Sequence, residues 1–145
     1  MAIPYITGLA ALCIPHKGRI KPFWHSLRAP DTTWTVAGRN SPDTSWFFGE
    51  RELVDVSEYF AQVDIKTDLV QCASYERAVF DLLYCHIEQN NRMVPNVQSS
   101  DIDDVVDFER IVAWILEWER SSQLKQGETM RGWLKSEDPW VEIQR

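Results

Sequence analysis

Two stretches of the chain repeat apolar side chains at three- and four-residue intervals, and that spacing constrains the fold more than any other feature. In the first, Tyr75, Val79, Leu82, Leu83 and Ile87 share one helical face behind Ser74, a residue suited to capping a helix N-terminus. A helix from Ser74 to about Asn90 is predicted, closed by Val94-Pro95, with Ala78, Phe80 and Tyr84 widening its apolar band. In the second stretch, Ser100 and Asp103 resemble a capping box, and Val105, Phe108, Val112, Ile115 and Leu116 form the stripe of a helix over about 101–121.

The N-terminal half lacks this period. Residues 2–14 are apolar between prolines and fit a buried strand or a short buried helix equally well. Residues 32–37 and 45–48 are rich in β-branched and aromatic side chains, with turn formers between them, so a hairpin over 32–48 is expected. Ser57 is read as the cap of a short helix through Ala61. The expected architecture is α+β, a single domain over 1–145: a small, mainly antiparallel N-terminal sheet packed against two long C-terminal helices.

At 145 residues such a domain removes roughly two thirds of its unfolded surface from water. Seven Trp, six Phe and four Tyr point to an aromatic core with some rings left over as contact anchors. Beyond Gly127, the apolar residues Trp133, Leu134, Trp140, Val141 and Ile143 suggest a tail docked on the domain. Cys13, Cys72 and Cys85 cannot all pair within one chain and lack C-x-x-C spacing, so reduced thiols in a cytoplasmic protein are expected. The stretch before Lys17 has no basic residues and is broken by Pro4, Gly8 and Pro15, which argues against a signal peptide. There is also no apolar run long enough to span a membrane.

Charge is distributed unevenly. Residues 1–30 carry four Lys and Arg and no acid, whereas residues 97–119 hold seven acids against one arginine, within a chain of net charge −7. Asymmetry of this kind bears on partners and association rates rather than on fold. The segment His16–Arg28 interleaves Lys17, Arg19, Lys21 and Arg28 with Phe23, Trp24 and His25, a pattern that can stack bases and meet phosphates. An acidic pI near 4.9 weighs against nucleic acid as the partner, and a structural loop paired in part with the acidic helix is the simpler reading.

Recognisable catalytic patterns are missing. No local signature joins a cysteine to His16, His25 or His86, and the six glycines never take phosphate-loop spacing. Asp101-Ile-Asp-Asp-Val-Val-Asp107 lacks the glycine and spaced oxygen donors of a calcium loop, and neither a metal site nor a cofactor is expected. The sequence therefore points to a non-enzymatic domain that binds another protein with a basic surface, an acidic inhibitor or immunity-type protein neutralising a basic toxin or nuclease. Asp101, Asp103, Asp104, Asp107, Glu109, Glu117 and Glu119 are the candidate binding residues, with Trp118 as the aromatic anchor because it falls off the predicted stripe; Trp46 and Trp133 are further candidates. The alternatives are a metal-assisted phosphohydrolase or nucleotide-processing enzyme, in which Glu76 or Glu88 would join these acids, and an accessory subunit of a larger assembly.

Overall fold

The computed structural model describes residues 4–21, 34–92, 94 and 97–135. It is a mixed helix-and-sheet protein. Tyr5-Ile6-Thr7 runs extended and enters a short helix, α1 (Gly8–Leu12). Gly8 makes that change of direction with φ +61, and a Cβ there would lie 3.2 Å from Thr35 Cγ2. Residues 2–14 had suited a strand or a helix, and the described part uses both in turn.

The remaining elements, in chain order, are α2 (Ser45–Phe48), β1 (Leu53–Asp55), α3 (Ser57–Gln62), β2 (Gln71–Ala73), α4 (Tyr75–Leu83), α5 (Phe108–Arg120) and α6 (Gly127–Lys135). Strands β1 and β2 are antiparallel, pairing Leu53 with Ala73 and Asp55 with Gln71. Ile6 extends this sheet by bridging to Cys72 on one side and to Val36 on the other. The extended N-terminal segment thus lies inside the sheet, giving its backbone groups to Gln71 and Ala73 and to Thr35 and Ala37.

The expected hairpin over 32–48 does not form. Residues 32 and 33 lie outside the described residues, and Val36 pairs with Ile6 instead of with residues 45–48. Asp43 Oδ1 accepts from Ser45 N at 2.8 Å, turning the chain so that Ser45–Phe48 coils into α2. The short helix after Ser57 is present, although Asp55 rather than Ser57 supplies the accepting side chain, at 2.8 Å from Ser57 N.

Helix α4 begins as the sequence predicts, with Ser74 Oγ accepting from Arg77 N at 3.1 Å, and all five residues of its predicted stripe are buried. It continues through a π-helical segment, Tyr84–Gln89. Asn91, at φ +51, turns the chain away soon afterwards, before the proline that the sequence suggested as the stop.

The second helix is shorter than expected and rotated. A 3₁₀ turn, Ser99–Asp101, carries a capping box formed by Gln98 and Asp101, not by Ser100 and Asp103. Only after a turn over 102–106 does α5 start, with Asp107 as its cap, accepting from Glu109 N and Arg110 N. Asp bonds local backbone better in turns and caps than in helix interiors, which shifts the start past the aspartate run. The buried face of α5 is Ile111, Ile115 and Trp118, whereas Leu116 is 41% exposed. The two long C-terminal helices of the sequence reading are thus two shorter α-helices, with α6 as a third. The docked tail extends through α6, where Met130, Trp133 and Leu134 are buried; Trp140, Val141 and Ile143 lie outside the described residues.

Trp118 joins three of these elements. Its ring stacks on Phe80 of α4 at 5.1 Å, on Phe47 of α2 at 4.7 Å and on Tyr84 at 5.3 Å between centroids. Phe48 meets Phe80 and Trp114 edge-on, so α2 is wedged between α4 and α5 by aromatic packing. Replacing a ring in such a site leaves a cavity as well as losing transfer energy. Trp118→Ala is expected to destabilise the fold by about 3–5 kcal/mol, as read from the midpoint shift in urea unfolding at unchanged slope.

Candidate functional site

Every residue of α4 is buried, including Glu76, Arg77 and Asp81. A helix that is apolar nearly all round has no solvated face for its charges, so each of these must find partners inside. Asp81 accepts from Tyr5 Oη at 2.8 Å, Thr7 Oγ1 at 2.7 Å and Thr44 Oγ1 at 2.7 Å. One turn earlier, Arg77 donates to the carbonyls of Gly49 at 3.1 Å and Arg51 at 2.8 Å and to Ser45 Oγ at 3.1 Å. Its guanidinium also lies over the rings of Tyr5 and Phe48. Asp81 therefore holds the entry to α2 and Arg77 its exit, the arrangement that peptide dipoles favour.

Glu76 faces the other way. It accepts a bidentate pair from Arg19 at 2.6 and 2.7 Å and takes Asp107 N at 3.0 Å. Arg19 also donates to the carbonyl of Val105 at 2.8 Å. Burial pushes the Glu76 carboxyl up, but these hydrogen bonds and the Arg19 charge outweigh it and hold the group below its ordinary range. Arg110 binds Glu52, whose other oxygen accepts from Ser74 Oγ at 2.9 Å. Arg19 thus joins the basic segment to Glu76 and to the backbone leading into α5. Residues 22–28 of that segment, with Phe23, Trp24, His25 and Arg28, lie outside the described residues.

His16 and Cys72 come together, with Nε2 and Sγ 3.4 Å apart, and the imidazole stacks on Tyr75 at 4.0 Å. This is not an activated nucleophile. Burial drives the Cys72 thiol far up, away from thiolate, and burial together with the nearby Arg19 charge lowers His16 to about 4. The pair is neutral at physiological pH. Cys13 and Cys85 are also held above their ordinary range, chiefly by burial.

The sequence-predicted acids fall into two groups. Asp101, Asp103, Asp104, Asp107, Glu109 and Glu117 are exposed, whereas Glu119 is half-buried and bound to Arg131 at 2.5 Å. Asp101 and Asp107 also serve as caps, which leaves Asp103, Asp104, Glu109 and Glu117 with no ion pair among the described residues. Glu109, Ala113 and Glu117 follow one another at four-residue steps along the solvent face of α5. Trp118 and Trp133 are both fully buried, so neither can act as a surface anchor. The reading of Trp118 as a ring off the buried stripe fails because that stripe runs through Ile111, Ile115 and Trp118 itself. Trp46 is 53% exposed, seated edge-on against Trp118 at 4.1 Å.

Among the described residues no three or more His, Cys, Asp or Glu side chains gather as metal ligands would. Glu76 is committed to Arg19, and Glu88 accepts from Lys125 N and Gln126 N at the start of α6, so neither joins the acids of 101–109. No described helix is long and apolar enough to cross a membrane. No family model, curated protein or solved structure matches this chain.

The sequence reading missed the charged set on α4. The one signal for it was the width of the apolar band around Glu76, Arg77 and Asp81, which left those charges nowhere to go but inward.

Two titrations oppose each other here. Burial raises Asp81 to about 6, above the unfolded value of about 3.9, so the fold holds more protons between those values. Its contribution is complete below about pH 4 and is lost as pH rises through about 6. His16, lowered to about 4 from about 6.5, contributes above pH 6.5 and loses that contribution as pH falls through about 4. Asp81→Asn removes only the first effect. Its unfolding free energy should rise from pH 4 to 6 relative to wild type, by up to about 1.4 kcal/mol per pH unit, when both are measured by urea denaturation across that range.

Proposed function

We propose that this protein is a non-enzymatic, acidic binding domain that recognises a basic protein surface, acting as an inhibitor or immunity-type protein that neutralises a basic toxin or nuclease. The observation that carries the reading is the set of exposed carboxylates at Asp103, Asp104, Glu109 and Glu117 with no ion pair among the described residues. Unpaired surface charge of one sign speeds encounter with an oppositely charged partner and disfavours like-charged ones.

An anchor is needed to hold what electrostatics attracts, and Trp46 takes that role in place of Trp118. It exposes half its surface while Trp118 and Phe47 support the ring from behind, so it loses little conformational freedom on binding. The exposed Leu116 adds apolar area on α5. For the enzyme alternative, the carboxylates of residues 101–109 do not gather with Glu76 or Glu88 among the described residues.

The test is affinity capture of the tagged chain from its own host at low and high salt, followed by kinetics with the purified partner. A basic protein retained at low salt and lost at high salt is expected. Asp103→Lys with Asp104→Lys, which leaves both capping aspartates in place, should lower the association rate about tenfold with little change in dissociation. Trp46→Ala should raise the dissociation rate by about tenfold. Capture that is insensitive to salt, with kinetics unchanged in both variants, would overturn the reading.

A further inference from the structure

A cleft of ≈ 260 Å³ opens between the turn after α1 and the β1–α3 corner, with Pro15, His16, Lys17, Asp55, Glu58 and Tyr59 in its lining. Sites for small ligands combine an apolar surface with a few polar groups, and this volume lies just below their usual range of about 300–1,000 Å³, which limits the ligand to a small one. Pro15, Val54 and Val56 supply the apolar surface here.

The polarity of the lining selects the sign of the ligand. Asp55 and Glu58 bring two carboxylates against the single ammonium of Lys17. His16 is 4% exposed, and its Nδ1 has no hydrogen-bond partner. Cys72 Sγ lies 3.4 Å from the Ala73 carbonyl, which can only accept, so that contact uses the thiol proton. The contact between Sγ and His16 Nε2 then requires the proton on Nε2, leaving Nδ1 as a bare lone pair. This unmet buried acceptor belongs to a residue of the same lining as the two carboxylates.

We propose that this cleft binds a small organic ammonium ion with a compact apolar body. The cation sits toward Asp55 and Glu58 within the field of the His16 lone pair, and the apolar body covers Pro15, Val54 and Val56. Tyr59 is a further residue of the lining. This site is separate from the acidic residues of 101–117 and does not rest on the protein-binding reading.

Phenethylamine is a suitable probe, with 3-phenylpropionic acid as the control of equal bulk and opposite charge. Titration of the ¹⁵N-labelled protein, followed through its amides and the His16 ring nitrogens, should give saturable shifts at His16, Glu58 and Tyr59 with the amine. The acid should give none at the same concentration. Glu58→Gln alters an exposed side chain that the fold does not depend on, and should weaken amine binding about threefold. The proposal is overturned if the amine gives no saturable shift, if the acid binds as well as the amine, or if Glu58→Gln leaves the affinity unchanged.

Discussion

Asp81 accepting three hydroxyl protons inside the protein is the contact on which most of the architecture depends. A buried carboxylate is tolerated only where hydrogen bonds and a nearby cation replace its hydration. Here those partners come from the N-terminal extended segment, through Tyr5 and Thr7, and from the entry to α2, through Thr44. Arg77, one turn away, needs the carbonyls that follow α2. Helix α4 therefore cannot rotate or slide without stranding a charge, which fixes the register of the N-terminal sheet, of α2 and of the aromatic cluster packed on α2. The apolar contacts supply most of the stabilisation, while the polar ones restrict it to one arrangement.

The same helix separates the charges of the molecule into two populations. Arg19, Glu76, Arg110 and Glu52 bind one another along the seam where the N-terminal turn, α4 and the start of α5 meet. The acids left outside this network face solvent on the turn before α5 and on its outer side. Within the basic segment, Arg19 spends its charge on Glu76 and a backbone carbonyl rather than on the acids of residues 101–117. What remains outside is an excess of negative charge, and such an excess acts on encounter and selectivity more than on stability.

What could be read from the sequence depended on how local the determining interactions are. The cap at Ser74 and the stripe from Tyr75 to Ile87 are set within a few residues, and both were legible. Helix α5 was legible as a helix but not in its phase. Ile111 and Trp118 outcompeted Leu116 for the interior, a choice made by the rings of Phe47, Phe80 and Tyr84 from elsewhere in the chain. Residues 45–48 have the composition of a strand, yet Asp43 and the grip of Arg77 and Asp81 make them a helix. For the candidate site, the exposed acids followed directly from charge counting. The burial of Trp118 beneath the exposed Trp46, and the meeting of His16 with Cys72, depend on contacts more than fifty residues apart.

Distance along the chain also bears on how this protein is made. The groups that satisfy the charges of α4 span from Tyr5 to Asp107, yet all but Asp107 N precede the helix, so an emerging polypeptide already carries them when α4 is complete. What it still lacks is the aromatic cover that α5 brings to α2 and α4 through Trp118. The interval in which Phe47 and Phe80 are uncovered therefore lasts at least as long as synthesis of the chain from these residues to Trp118 takes.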